Sequence, residues 1–375
     1  MKITGIETHY AMAPGRPWIF VKVLTDEGIH GWGEATLEGK EATVIAAVGE
    51  VARFLEGKDP ARIEQHWHDL YRGAFWVGGP VLNSAISAVE HALWDIKGKV
   101  LNAPVYELLG GKCRDRIRAY ANGWFRRGMD AAATAARAQE VAAMGYTAMK
   151  WDPFEQAGLF IDADTAARAV ANVRAVREAV GPSVDLCIEV HGRFSPANAI
   201  RIARELEEFR PFFYEEPVPP ENIDALALVA RGTSIPVATG ERLFTKWGFK
   251  ELFEKQAAAI VQPDICHAGG ILELKKIAAA AEMHYIGVAP HNPNGPICTA
   301  ASIQLDACIP NFLIQEFVIS DGPIRTQLQR EPIRIVDGYF EIPDRPGLGV
   351  ELVEEYLDRD DIVPRDMYDM IAPWR

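Results

Sequence analysis

Seven ionisable residues stand at the ends of seven β-rich runs: Lys150, Glu189, Glu215, Glu241, Asp264, His291 and Glu316, spaced 23 to 27 residues apart from Glu189 onward. Any one of them alone reads as a solvated strand end, because charged side chains are mostly exposed. Three glutamates at matched places in a repeat ask for more. If Glu189, Glu215 and Glu241 converge, two carboxylates about 4 Å apart repel by about 4 kcal/mol at an effective dielectric near 20, so the trio demands a positive counter-charge. Three hard oxygen ligands with no Cys or His among them suit Mg2+ better than Zn2+. Glu215 and Glu216 are adjacent and point oppositely; the register of the neighbouring runs selects Glu215 as the ligand and leaves Glu216 as a structural partner.

Asp264 and His291 end consecutive runs and should be neighbours. A carboxylate on one ring nitrogen fixes the tautomer and raises the basicity of the other, which makes a general base. In "DLCIEVHGRFSP" His191 follows Glu189 by two positions. Residues i and i+2 of a strand share a face, so His191 should reach the same place and could give a proton to a leaving group. The plainer alternatives are a capped loop histidine at 291 and, at 191, a ring packed on the helix that follows.

These residues converge only if the elements beneath them form a closed repeat. The runs "IRAYANG", "YTAMKW", "VDLCIEV", "PFFYE", "IPVATG", "AAIVQP", "YIGVAP" and "FLIQE" alternate with helical stretches such as "AATAARAQEVAAMG" and "PANAIRIARELEEF". Ser195 before Pro196 is a helix start. Eight such units without a GxGxxG turn predict a (β/α)8 TIM barrel, whose strand ends open at one mouth, rather than an open doubly wound sheet. Residues 1–115 read as a small α+β domain. Its strands turn at Asp26-Glu27-Gly28, and amphipathic helices follow in "EATVIAAVGEVARFLEG" and "LNSAISAVEHALWDIKGKVL". The barrel spans 116–328, and 329–375 reverts to strand and turn language that is expected to return to the first domain.

Composition narrows the partners. Of 375 residues 49% are apolar, and 52 acidic against 39 basic residues give a net charge of −13 with no Lys/Arg cluster, so nucleic acid is not an expected partner. The N-terminus lacks a signal-peptide pattern and no apolar run approaches the roughly 20 residues that span a bilayer. A cytoplasmic protein without a membrane partner is expected. Cys113, Cys187, Cys266, Cys298 and Cys308 are scattered, odd in number and free of CxxC spacing, and read as reduced packing residues.

The motifs "GWGEA", "SAISAVEHALWDIKGK", "FYEEPV", "ATGERLF", "QPDICHAGGI", "APHNPNGP" and "PGLGVE" run through nearly the whole chain. Together they resemble the enolase superfamily and, within it, the acid-sugar dehydratases of the mandelate racemase group. The resemblance implies a modified barrel under an N-terminal α+β cap and Mg2+ held by Glu189, Glu215 and Glu241. It further implies that His291 with Asp264 removes the proton α to a carboxylate, that Mg2+ and Lys150 stabilise the enediolate, and that Glu316 hydrogen-bonds the developing charge. His191 would protonate the departing β-hydroxyl, and the product would be a 2-keto-3-deoxy sugar acid. A small-molecule sugar acid is thus the implied substrate, and a homo-oligomer the implied assembly.

The first metal position of this group is usually Asp and is here Glu189. Racemases of the group carry a Lys two residues after the Lys150 position, where this chain reads "KWD", so Asp152 leaves that side without a second base and dehydration is preferred. Asp152 is a candidate for substrate contact or a loop cap. The cap loops "MAPGRPW" and "YRGAFWVGG" offer Arg16, Trp18, Phe75 and Trp76 as substrate contacts or as interface packing. The competing readings are an epimerase or cycloisomerase on a similar hydroxy acid and a sugar-acid-binding homologue without catalysis.

Overall fold

Three antiparallel strands open the chain, β1 (Ile3–Ala13), β2 (Arg16–Thr25) and β3 (His30–Glu34), in the order β1-β2-β3. The turn between β2 and β3 is the one the sequence marks, with Gly28 at a φ of 75°. Four helices follow: α1 (Glu41–Leu55), α2 (Ile63–Arg72), α3 (Pro80–Leu101) and the short α4 (Val105–Leu108). Strand β3 lies directly on α3. A Cβ on Gly31 would sit 2.1 Å from the Ala92 carbonyl oxygen, and one on Gly33 only 1.7 Å from that of Ala88. Only glycine allows this approach of strand to helix backbone. This computed structural model describes residues 1–154 and 157–358.

The remainder alternates strand and helix. The strands are β4 (Arg116–Asn122), β5 (Ala148–Trp151), β6 (Asp185–Glu189), β7 (Phe213–Glu215), β8 (Val237–Thr239), β9 (Ile260–Val261), β10 (Gly287–Val288) and β11 (Gln315–Val318). The helices are α5 (Ala131–Ala143), α6 (Ala163–Val180), α7 (Pro196–Leu206), α8 (Ile223–Gly232), α9 (Thr245–Lys255), α10 (Ile271–Met283), α11 (Pro296–Asp306) and α12 (Gly322–Gln327). Strands β4 to β10 pair in parallel, each with the next. Strand β11 pairs with β4, and Phe312 just before it bridges Val288 of β10, so the segment 312–318 joins the first and last strands. Inside lies one cluster drawing a buried residue from each of the eight β-rich runs, from Tyr120 and Ala148 round to Ala289 and Ile314. Across it the Tyr120 and Phe213 rings meet edge to face at 5.9 Å. The interior is packed, as in a barrel, and is not a pore.

Local chemistry starts four of these helices, one of them at the Ser195 the sequence marks. Asp130, Asp162, Ser195 and Asn222 each accept a backbone N–H in the first turn of the helix that follows. Helices α10 and α11 differ, since Gly270 and Gly295 at their N-caps have no side chain to offer.

The C-terminal segment does two things. Strands β12 (Ile335–Val336) and β13 (Tyr339–Glu341) form a hairpin whose second strand pairs antiparallel with the start of β4. Only after that does the chain reach the cap, through bridges from Gly347 to Pro104 and from Asp358 to Tyr10. The stretch beyond 358, which the sequence reading also assigns to this return, lies outside the described residues. Among the described residues no helix is long and apolar enough to cross a membrane, and the five cysteines are free.

Glu351 fastens the returning segment. It receives the Trp32 indole N–H at 2.8 Å and Lys99 Nζ at 3.1 Å, and pairs with His30 Nε2 at 2.7 Å. Burial pushes its carboxyl upward, but His30, Lys99 and Trp32 outweigh burial and hold it down at about 2. A carboxyl depressed on folding contributes stability above its unfolded pKa and loses it as pH falls toward the folded value. Glu351→Gln should therefore destabilise the protein by about 1–2 kcal/mol at pH 7, a figure reduced for its partial exposure. Urea unfolding across pH should show the gap to wild type closing between pH 4.5 and 2; a gap independent of pH would refute the assignment.

Candidate active site

Strand ends β5 to β7 place Lys150, Glu189 and Glu215 side by side: Lys150 pairs in register with Cys187, and Glu189 with Glu215. Glu241 follows β8 by two residues. One oxygen from each of Glu189, Glu215 and Glu241 lies within 4.8 Å of the others. The Lys150 ammonium enters the same group, 2.8 Å from Glu215 Oε1, 3.1 Å from Glu316 Oε1 and 3.5 Å from Glu189 Oε2. Burial opposes its charge, yet Glu215 and Glu316 raise it well above its ordinary value.

The carboxyls respond unequally. Burial pushes Glu189 up to about 7, with Lys150 pulling down and Glu241 pushing up. Burial and Glu189 drive Glu215 well above its usual range. For Glu241 burial is outweighed by His291, Arg242 and Lys150, so its carboxyl lies below the ordinary value. Glu215 Oε2 is buried and takes no hydrogen bond. A buried oxygen without a donor beside two more carboxylates is what a hard cation would satisfy. The residues present thus fit a metal ion of the Mg2+ kind. Glu216 stands outside this trio and pairs with Arg242.

Two imidazole–carboxylate pairs open on the same cavity, of about 940 Å³ and within the range of small-ligand sites. His291 Nδ1 lies 2.8 Å from Asp264 Oδ2, and its Nε2 is 3.3 Å from Glu241 Oε2. Burial disfavours its charge, but Glu241, Asp264 and Glu316 outweigh burial and push it up to about 10. On the other side His191 Nδ1 lies 2.8 Å from Asp152 Oδ2. Since β6 and β10 are the third and seventh strands of an eight-strand order, the two imidazoles approach the cavity from opposite sides of the mouth.

Several expectations change. His191 is past the end of β6 and has a φ of 55°, so a left-handed turn, and not strand alternation, aims its ring. Asp152 lines the cavity, yet Arg193 takes both its oxygens at 2.6 Å, His191 shares one, and the Phe154 N–H caps the other at 3.0 Å. It orients His191 and has no oxygen to spare for a substrate. Glu316 lines the cavity with its oxygens engaged by Asn122 Nδ2 at 2.7 Å, the Asn292 N–H at 2.7 Å and Lys150 Nζ at 3.1 Å. Burial pushes its carboxyl up, but Lys150, His291 and the Asn292 N–H outweigh burial and hold it at about 2.

Among the proposed contacts, Arg16 does line the cavity, tied to Asp321 at 2.7 Å and to the Pro293 carbonyl. Trp18 is wholly buried in the cap under the Arg325 guanidinium. Phe75 and Trp76 pack edge to face on each other and are 88% and 81% exposed, away from the cavity wall. Sequence reasoning missed His267, which lines the cavity 3.6 Å from Asp264 Oδ2 and bonds Ser84 Oγ at 2.8 Å. Its signal was a second histidine three residues after Asp264 in "QPDICHAGGI".

Comparison with known proteins agrees with this geometry. Residues 7–110 match the mandelate racemase / muconate lactonizing enzyme N-terminal domain, and residues 133–356 the enolase C-terminal domain-like family. A D-galactonate dehydratase of Xanthomonas euvesicatoria pv. vesicatoria is 43% identical over 381 aligned residues, covering 100% of this chain and 98% of that protein. One from Cronobacter sakazakii is 42% identical, covering 95% and 94%. Among solved structures, a member of the enolase superfamily from Salmonella Typhimurium superposes with a TM-score of 0.90 at 33% identity, covering 95% of this chain and 97% of its own. A mandelate racemase/muconate lactonizing enzyme-like protein from Roseovarius sp. TM1035 gives 0.88 at 39% identity, covering 95% and 94%. With both family domains present in order and relatives aligned along the full length, the chain belongs to the enolase superfamily, in its mandelate racemase / muconate lactonizing enzyme group.

Proposed function

We propose that this protein is a Mg2+-dependent hydro-lyase that dehydrates D-galactonate or a closely similar acid sugar to a 2-keto-3-deoxy acid. The observation that carries the reading is the pair of imidazole–carboxylate couples, His291–Asp264 and His191–Asp152, facing one cavity from opposite sides. Proton removal next to a carboxylate and loss of the neighbouring hydroxyl need one base and one acid at separate places. The curated relatives named D-galactonate dehydratase, aligned end to end, support the substrate class.

Glu189, Glu215 and Glu241 would hold the Mg2+, which supplies positive charge for the substrate carboxylate as it takes on enediolate character. The chain's own residues do the rest. His291 Nε2 faces the cavity and takes the α-proton, while Asp264 on Nδ1 fixes the tautomer and steadies the imidazolium. Glu241, with Asp264 and Glu316, draws His291 toward its charged form, so a cation that takes up the charge of Glu241 would weaken that pull and favour a free Nε2 lone pair. Lys150, set by Glu316 and Glu215, adds a fixed positive charge beside the forming enediolate. His191, aimed by Asp152, gives its proton to the departing β-hydroxyl from the opposite side. Proton and hydroxyl thus leave on opposite faces.

Supplied with Mg2+ and D-galactonate, the wild-type protein should form the 2-keto-3-deoxy acid. His291→Asn should lower kcat by about 10²- to 10⁴-fold and abolish exchange of the α-proton with D2O. His191→Asn should slow keto-acid formation on the same scale while α-proton exchange persists. Wild-type rates from His291→Asn would refute its role, and α-exchange by the wild type without keto product would favour epimerisation. The metal assignment has a readout of its own: Glu215→Gln should weaken Mg2+ binding, measured calorimetrically without substrate, by roughly tenfold or more. Unchanged affinity would place the cation elsewhere.

A further inference from the structure

We propose that two buried glutamates of the N-terminal cap, Glu34 and Glu90, are positioning residues for the His291–Asp264 couple, each capping from across the domain junction the helix that follows one member of that couple. The proposal rests on the reading of that couple as the general base. It accounts for two motifs, "GWGEA" and "SAISAVEHALWDIKGK", that the site chemistry leaves without a use.

The two arrangements match. Asp264 is followed after six residues by Gly270, the N-cap of α10, and His291 after four by Gly295, the N-cap of α11. The first N–H groups of a helix need acceptors, and a glycine N-cap has no side chain to supply one. Glu90 supplies it for α10: Oε2 accepts the Ile271 N–H at 2.8 Å and Oε1 the Leu272 N–H at 2.9 Å. Glu34 does so for α11, accepting the Gly295 N–H on Oε1 and the Cys298 N–H on Oε2 at 2.8 Å. Pro296 between them has no N–H to satisfy. Each carboxylate thus sits where the positive end of a helix favours an anion.

The glycines are shaped for this. A Cβ on Gly270 would stand 2.3 Å from Glu90 Oε2, and one on Gly295 2.7 Å from Glu34 Oε1. Further bonds fix the short links between caps and couple. Ser87 Oγ accepts the Gly269 N–H at 3.1 Å, the Trp67 indole donates to the Gly269 carbonyl at 2.8 Å, and Asn294 Nδ2 donates to Asp264 Oδ2 at 3.1 Å. Because β3 lies on α3 through Gly31 and Gly33, the two glutamates belong to one rigid unit. That unit sets the separation of α10 and α11, and through it the Asp264–His291 contact.

The test uses Glu34→Gln and Glu90→Gln, in which an amide NH2 replaces an oxygen and cannot accept a backbone N–H. Both should lower kcat for dehydration by about 10- to 100-fold with KM changed less than about twofold. Both should also shift or broaden the far-downfield proton resonance of His291 Nδ1–H, assigned by its loss in His291→Asn. Arg118→Ala is the control: it removes bonds to Thr147 and Asp185 at the opposite end of the barrel and should lower the melting temperature while leaving kcat and the resonance alone. Ser87→Ala, a milder lesion, should move the resonance the same way with a smaller loss of kcat, and it decides the matter should the glutamine variants not fold. Folded variants with wild-type kcat and an unmoved resonance would overturn the proposal. A resonance that follows these substitutions in a protein that dehydrates no sugar acid would sink the functional reading and leave the positioning role standing.

Discussion

Glu189 and Glu215, both buried, and the partly exposed Glu241 bring carboxylate oxygens within 4.8 Å of one another, where desolvation already disfavours charge. Each pair of like charges at about 4 Å costs about 4 kcal/mol at an effective dielectric near 20. The surroundings are built around that repulsion. Lys150 places an ammonium among the oxygens, Glu316 holds that ammonium from behind, and Arg242 draws Glu216 out of the group. What is left is a buried Glu215 oxygen without a donor and an imidazole at 291 pulled toward charge by Glu241. A protein that kept such a cluster for stability alone would be poorly served, since apolar packing of equal volume is usually no less stable. Its value is in what it can bind.

A ring of parallel strands is what makes this economical in sequence. Each strand contributes a residue at or near its C-terminal end to a single mouth, so groups more than a hundred residues apart meet without any one segment being unusual. Helices α5 to α8 start at ordinary side-chain caps, whereas the two after Asp264 and His291 start at glycine. There the cap domain supplies the acceptors. The cap therefore covers the mouth through residues such as Arg16 and also grips the barrel beside the imidazole that faces the substrate cavity.

The site was legible in part, and the division follows a physical line. Lys150, Glu189, Glu241, His291 and Glu316 line the cavity with Glu215 and Asp264 buried behind it, because strand ends are set by a repeat that the sequence displays. Roles that depend on where a side chain's hydrogen bonds go were not legible. Residue type leaves Asp152 as either a substrate contact or a loop cap, and only the fold shows Arg193 and His191 using both its oxygens and the Phe154 N–H capping one. Trp18 and Trp76 carry no periodic signal that separates a buried ring from one projecting into solvent, and they ended at those two extremes. His267 was passed over because Ser84, which orients it, lies 183 residues away on α3.

Residue type and spacing alone determined the alternation of strand and helix, the spacing of charged strand ends, and hence a carboxylate cluster facing a histidine–aspartate couple. These are properties of short segments repeated, and local patterns report them directly. Tertiary structure decided the left-handed turn that aims His191, the second imidazole–carboxylate couple, the hairpin of the returning segment on β4, and the reach of Glu34 and Glu90 to helices in another part of the chain. Each of those depends on a contact between residues far apart in sequence, whose partner is fixed only once the core has packed.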